Sequence, residues 1–473
     1  MPQVVLRAGN IPPPLNERYF TQLDGQSKYW RRIEPDYGQT TNATIECLFY
    51  GGSGSGISTL IGTQQDFNNR FYLAILNGSL FIGNGRTTQT LTALDLSRIN
   101  SAKMTANGVN VTATLNGVEL YNVLQSPGKF DGLLDGLEIG TNGGTQGFYD
   151  GIIVSARVTT DTVDNKYGLD KNLAYELPDG EAIGPELPSA TRDFSIGGPW
   201  DNGTFNRSNT IGVWSTDAGG IGPRTDGASL LGSDFWLISW SDLVDSDIYL
   251  NLDGALSLVS TASSGTQVVG MGSATTTAQL YLRASSAGTK TLSAFSLRSI
   301  PNSALIFENG SIDGSDRLLV TEKQDGSGFI GPDLVTNGDF DATGAWVNNQ
   351  NNWTIAGDGK ATYNRSGSGS DVIYQALGRS AFYEIEIDIL FRSVGSSGGI
   401  SFYDGVAYGD LITTSGKHTL TVENADDGYS FFTIRGQNSD FDLLDVKLKA
   451  VYDYATGAAP TTGFPFTLPM TLT

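Results

Sequence analysis

A chain of 473 residues with 60 Gly and only 17% charged residues is too long for one core, pointing to roughly two to four domains, and too poor in helix formers to rest on long helices. Its 39% hydrophobic and 10% aromatic content excludes a disordered chain. A formal net charge of −21 excludes a nucleic-acid surface, which needs Lys and Arg against phosphate, and would repel an anionic lipid leaflet.

In chain order, residues 1–18 hold Ile11-Pro12-Pro13-Pro14, which favours extended polyproline geometry and reads as an arm. Met1–Asn10 has no apolar run of secretion-signal type, and no run of ~18 apolar residues follows, so neither a signal nor a membrane span is expected. From Tyr19 to Val158 short strand signals alternate with turns. Phe71–Leu76 leads to Asn77-Gly78, Ser79–Ile82 to Asn84-Gly85, and Val109–Leu115 to Asn116-Gly117 before Val118–Tyr121. Asn-Gly between such runs is a hairpin signal, because both residues accept the positive φ of a tight turn. The single cysteine, Cys47, cannot form an intrachain disulfide, and within Thr44–Phe49 it reads as a buried structural thiol.

Tyr19–Gly25, the Val109–Tyr121 hairpin, Leu137–Gly140 and Gly147–Ile153 together resemble a laminin-G/concanavalin-like sandwich over residues 19–158. The resemblance implies a curved two-sheet jelly roll of a kind often used to bind glycans or proteins. Residues 159–190, with Pro178, Pro185 and Pro188, read as a linker.

Two later stretches share a pattern. Asp193-Phe194 precedes Trp200 at the spacing with which Asp339-Phe340 precedes Trp346, and Tyr281-Leu282-Arg283 is echoed by Thr433-Ile434-Arg435. A duplicated jelly roll over 191–300 and 333–454 explains this economically. Leu334–Phe340 and Phe441–Leu448 resemble the opening and closing strands of carbohydrate-binding modules. Residues 301–332, with Gly310, Gly314, Gly326, Gly328 and Pro332, read as a second linker, and 455–473, with Pro460, Pro465 and Pro469, as an extended contact tail. The expected fold is therefore all-β: three antiparallel sandwich domains in series with an arm at each end.

The candidate chemistry is sparse. His418 is the only histidine, so any triad built on histidine would need it; a surface residue at a hairpin edge is the plainer reading. Glu384-Ile385-Glu386-Ile387-Asp388-Ile389 puts three carboxylates on one strand face. Concanavalin-like glucanases use carboxylates alternating in this way, but a solvated face opposite a buried Ile stripe is the ordinary alternative. The module resemblance implies a structural Ca²⁺ held by Asp339, Asp341 and Asp445, with backbone carbonyls completing the shell.

Sugar stacking asks for flat aromatic faces beside polar groups. The candidates are Trp353, Tyr363, Tyr374, Tyr403 and Tyr408, with Trp200, Trp214, Trp236 and Trp240 in the preceding domain. Phe340 and Trp346, at repeated positions, read as structural. There is no P-loop, zinc cluster or dinucleotide fingerprint.

The arrangement resembles phage virion proteins carrying such β mosaics. It implies a non-enzymatic protein on the virion surface (tail fibre, baseplate or capsid-attached fibre), assembled in the host cytoplasm. Its partners would be other virion proteins, host-surface glycans and further copies of itself, a trimer being one such assembly, with no cofactor required and structural Ca²⁺ the one ion the resemblance implies. Capsid decoration without recognition, a glycan depolymerase using Glu384, Glu386 and Asp388, and a bacterial adhesin remain open at this point.

Overall fold

A computed structural model describes residues 17–458, apart from 33–35, 53–55, 67–68, 126–132, 142–146, 170–174, 188–191, 195–199, 201, 209, 221, 226–229, 231–234, 271–277, 309–316, 324–326, 349–351, 365–369, 377–381 and 424–430. The expected N-terminal arm, except its last two residues, and the tail beyond Ala458 lie outside the described residues. The described chain is all strand and turn, with no helix, and its named strands pair antiparallel throughout. None of its elements is a helix long and apolar enough to cross a membrane.

Two of the three Asn-Gly signals form the turns they specify; at the third, Asn84 ends the strand Ser79–Asn84 and the turn falls one residue later, on Gly85 and Arg86. Asn77 and Gly78 have φ of 48° and 74° between strands Asn69–Leu76 and Ser79–Asn84. Asn116 and Gly117 have 49° and 79° between Asn110–Leu115 and Val118–Leu124. Positive φ at both turn residues matches the right-handed twist of the strands that follow.

The first body is a two-sheet sandwich. Ile45, Cys47 and Phe49 of Asn42–Tyr50, with Ala102 and Met104 of Asn100–Asn107, face Trp30, Ile61, Phe71, Leu73, Ile75 and Ile82 of the opposite sheet in one core. The opening strand Glu17–Gln22 pairs with the closing strand Ile152–Thr159, Thr21 opposite Ile153.

Residues 301–332, expected as a linker, instead supply strands to this frame. Leu305–Glu308 pairs with Tyr29–Arg32 and places Leu305 and Phe307 in the first core. Arg317–Glu322 pairs with Glu17–Gln22, and Gly328–Asp333 pairs with both Arg317–Glu322 and Phe431–Asp453. The apolar runs Leu305-Ile306-Phe307, Leu318-Leu319-Val320 and Phe329-Ile330 outweigh the intervening glycines. Residues 159–190 also hold strands, Asp164–Tyr167 and Tyr175–Glu176.

The middle body lies between two strands that pair with each other: Tyr175 is opposite Ile306 and Glu176 opposite Leu305. Its core takes Trp236, Ile238, Trp240 and Phe295 from one sheet and Ile248, Leu250, Leu280 and Leu282 from another. Phe194 and Trp200 sit in this core with ring centres 5.9 Å apart; Phe340 and Trp346 sit in the last core 5.6 Å apart. The repeated pairs thus play the same structural part.

In the last body two long strands, Phe382–Phe402 and Phe431–Asp453, run through both layers. Register shifts at Asp388/Ile389, Phe391/Ser393 and Val394/Gly399 let them bend. One layer combines Ser370–Ala376 with the beginning of Phe431–Asp453 and the end of Phe382–Phe402. The other combines Gly416–Glu423 with the remaining halves of the two long strands. Phe20, Tyr50, Ile152, Val320, Phe329 and Tyr452 form a further cluster joining the first body to the last.

Candidate functional site

The five aromatic candidates of the last body divide between its two sides. Trp353 is 3% exposed and Tyr363 is fully buried; both pack on Phe441, and the Trp353 indole N–H donates to the Asp371 carbonyl at 3.2 Å. They are core residues and cannot stack on a ligand. Trp200, Trp214, Trp236 and Trp240 are likewise buried, Trp236 and Trp240 donating to the carbonyls of Leu230 and Ala262. Sandwich cores of this size use the largest apolar side chains, which is where the tryptophans went.

Tyr374, Tyr403 and Tyr408 are brought to one outer face. Alternation puts Ile373, Phe402 and Ile434 into the core, so the intervening residues face outward. Tyr374 lies opposite Thr433, its ring edge-on to Phe431 at 5.5 Å, and Phe431 is itself 43% exposed. Val372 lies opposite Arg435, which in turn lies opposite Ser401. The Arg435 guanidinium sits 3.9 Å from the centre of the Tyr408 ring, and its Nε donates to Ser401 Oγ at 3.1 Å. Tyr403 and Tyr408 form an antiparallel bridge with ring centres 5.0 Å apart.

The hairpin between these two tyrosines is tied by Asp404, whose Oδ1 accepts the amides of Val406 at 2.8 Å and Ala407 at 2.6 Å. Those amide bonds, Ala407 foremost, hold the Asp404 carboxyl below the usual range. The result is a half-buried shelf of tyrosine rings with a planar cation clamped against one of them. Such a face can stack on a ring and hydrogen-bond its substituents.

On the opposite outer face Glu384, Glu386 and Asp388 alternate with buried Ile385, Ile387 and Ile389. They oppose Lys449, Lys447 and Asp445 in register. Lys449 Nζ donates to Glu386 Oε1 at 2.7 Å, and this bond, with the charges of Lys449, Lys447 and Lys417, holds the Glu386 carboxyl below its ordinary range. A general acid needs the reverse shift.

His418 is on the edge strand Gly416–Glu423 opposite Ile387; it is half-buried, and its Nε2 donates to the Thr414 carbonyl at 2.9 Å. Cys47 is fully buried, and burial pushes its thiol up.

Asp339, Asp341 and Asp445 do not converge. Asp445 lies 3.6 Å from Lys447 Nζ in the charged ladder, and Asp339 Oδ1 accepts the Asp341 amide at 3.4 Å. The opening segment does reach the closing strand, Val446 N–H donating to the Gly338 carbonyl at 3.0 Å, but alternation at the inward-facing Val446 turns Asp445 to the outer face. Among the described residues no three acidic, His or Cys side chains are grouped to hold a metal.

The middle body has a related face that the choice of tryptophans missed. Tyr281 lies opposite Tyr249, with Arg224 beyond Tyr281 and Leu258 beyond Tyr249 in the same cross-strand row. The Arg283 guanidinium lies 5.5 Å from the Tyr249 ring centre, and its Nε donates to the Gly220 carbonyl at 3.2 Å. The signal was present in Ile248-Tyr249-Leu250 and Leu280-Tyr281-Leu282-Arg283, where period-two alternation sends the tyrosines and the arginine outward.

No protein-family model matches the chain, and no curated protein matches its sequence. Among solved structures it is similar to the carbohydrate-binding module (CBM40) of a Ruminococcus gnavus sialidase bound to alpha2,3 sialyllactose. That likeness covers 32% of this chain and 94% of that one, at 17% identity and a TM-score of 0.25. It is also similar to a heptameric pentraxin of Limulus polyphemus (31% and 77% covered, 9% identity, TM-score 0.26) and to domains LG4-5 of the mouse laminin alpha1 chain (70% and 94% covered, 11% identity, TM-score 0.25).

Proposed function

We propose that the chain is a non-enzymatic glycan-binding protein whose principal site is the outer face formed by Tyr374, Phe431, Tyr403, Tyr408 and Arg435. The observation that carries this reading is the Arg435 guanidinium lying 3.9 Å over Tyr408 beside Tyr403. The ring faces offer apolar contact to the C–H side of a sugar, and the guanidinium offers planar donors to a hydroxyl or carboxylate. The tyrosine–arginine row of the middle body would serve as a second, weaker site of the same kind. The charged state of Glu386 favours binding over hydrolysis.

The setting we propose is the surface of a phage particle, where several copies of the chain contact other virion proteins. Repeated weak sites on one particle gain avidity of ~10²–10⁴-fold without new contacts.

The test is a glycan array probed with the whole chain and with Tyr403→Ala/Tyr408→Ala. The reading expects binding by the wild type and at least a tenfold loss in the variant. Equal binding by both, or release of reducing ends by the wild type, would overturn it.

A further inference from the structure

Two guanidiniums in different bodies are held in the same way. Arg435, half-buried in the last body, donates from its Nε to Ser401 Oγ at 3.1 Å and rests 3.9 Å from the Tyr408 ring centre. Arg283, half-buried in the middle body, donates from its Nε to the Gly220 carbonyl at 3.2 Å and rests 5.5 Å from the Tyr249 ring centre. The echo of Tyr281-Leu282-Arg283 in Thr433-Ile434-Arg435 puts these two arginines at matching places in the two stretches.

In each, the bond at Nε fixes the orientation of the guanidinium and closes its side-on approach. The two terminal nitrogens, which form the symmetric end-on fork, have no partner among the described residues. Neither arginine is joined in an ion pair there, although the chain carries 50 Asp and Glu against 29 Lys and Arg. Arg224 adds a third cation to the middle body. It lies opposite Tyr281, and its buried Nε also lacks a hydrogen-bond partner among the described residues.

A cation that has lost part of its water and gained no counter-charge is destabilising, and an acceptor arriving from outside relieves it. A neutral sugar hydroxyl offers that fork one oxygen. An oxyanion offers two at once, matched to the parallel N–H donors, in charge-assisted bonds roughly twice as strong as neutral ones. The tyrosine beside each fork supplies a face for the ring that carries the acid.

The two bodies differ in one respect. Asp247 stands opposite Arg283 in register without pairing with it, whereas Arg435 has the uncharged Val372 and Ser401 on its two neighbouring strands. The carboxylate beside the middle-body fork repels an incoming anion and makes that fork the weaker one.

We infer that both faces, resting on their reading as glycan sites, select acidic saccharides. Each arginine receives a sugar carboxylate or sulfate ester end-on, while the neighbouring tyrosine stacks on the sugar. The last body holds the stronger of the two sites.

Titration calorimetry of the whole chain against matched oligosaccharides, neutral, carboxylated or sulfated at one sugar, tests this. At least one acidic member should bind about tenfold or more tightly than the neutral one, and the member that does so tells carboxylate from sulfate. Raising NaCl from about 0.05 M to about 0.5 M should erode that preference. Arg435→Gln should bring the ratio of acidic to neutral affinity close to one. Arg435→Lys, which keeps the charge without the fork, should recover only a minor part of it. If Arg435→Gln lowers acidic and neutral binding alike and leaves their ratio unchanged, Arg435 only props Tyr408 and the inference falls. Neutral and acidic members bound equally, with Tyr403→Ala/Tyr408→Ala abolishing both, would overturn acid selection yet keep the shelf as a glycan site. Binding of no member would overturn both.

Discussion

Glu386 and Lys449 meet across neighbouring strands, not in direct register but one step along the ladder, with Nζ 2.7 Å from Oε1. The pairing stabilises the charged carboxylate, so the folded protein holds that proton less tightly than the unfolded chain does. The contribution to stability is then complete above the ordinary glutamate range of about 4.3 and disappears as pH falls through the lowered folded value. Both side chains keep solvent contact, which limits the effect to about 0.3–1 kcal/mol. Glu386→Gln should therefore destabilise slightly at pH 7 in urea melts, and its melting curve should converge on the wild type once the pH falls below the lowered glutamate range.

Aromatic substitutions in the last body should sort by side. Trp353→Ala opens a cavity beneath Phe441 and should cost about 3–5 kcal/mol. Tyr403→Ala removes a half-buried outer ring and should shift the urea midpoint far less while abolishing most glycan retention. Equal destabilisation by the two would contradict the division into core and shelf.

Cys47 should be silent to thiol reagents in the native state. Its side chain is fully buried between the layers, and burial disfavours the thiolate that such reagents require. Labelling should begin only at denaturant concentrations that unfold the first body; labelling in buffer alone would count against the packing described.

Gly62 and Gly83 flank Tyr72 so closely that a Cβ on either would stand 2.2 Å from Tyr72 Cβ or 2.4 Å from its ring. Gly83→Val should force the ring out and cost about 1–3 kcal/mol, read as a lowered midpoint with an unchanged slope. Tyr72→Ala in the same background should recover part of that loss.

Much of this architecture was readable from the chain. Asn77-Gly78 and Asn116-Gly117 specified their turns through backbone sterics, and Ile385, Ile387 and Ile389 declared a buried stripe by period alone. What local pattern could not carry was partnership. The run Leu318-Leu319-Val320 is legible as apolar, but that it lies beside Glu17–Gln22 depends on a contact across 300 residues of sequence.

The site shows the same limit. Of the five aromatic candidates, alternation places Tyr374, Tyr403 and Tyr408 on the outer face, while Trp353 and Tyr363 lie in the core, where burial has the stronger claim on them. Asp339, Asp341 and Asp445 failed as a cluster because nearness of two backbones does not fix which way their carboxylates point. Tyr249 and Tyr281 are legible from plain alternation, since Ile248, Leu250, Leu280 and Leu282 on either side of them face the core.

The placement of the middle body between the paired strands Tyr175–Glu176 and Leu305–Glu308 has a mechanical consequence. Tension applied to the two ends of the chain meets the ladder of Glu17–Gln22, Arg317–Glu322, Gly328–Asp333 and Phe431–Asp453 first, and these strands resist as neighbours sharing the strain. The middle body hangs beside that line from a closed hydrogen-bonded neck, so it can be tugged by whatever it holds without the pull on the ends ever passing through it.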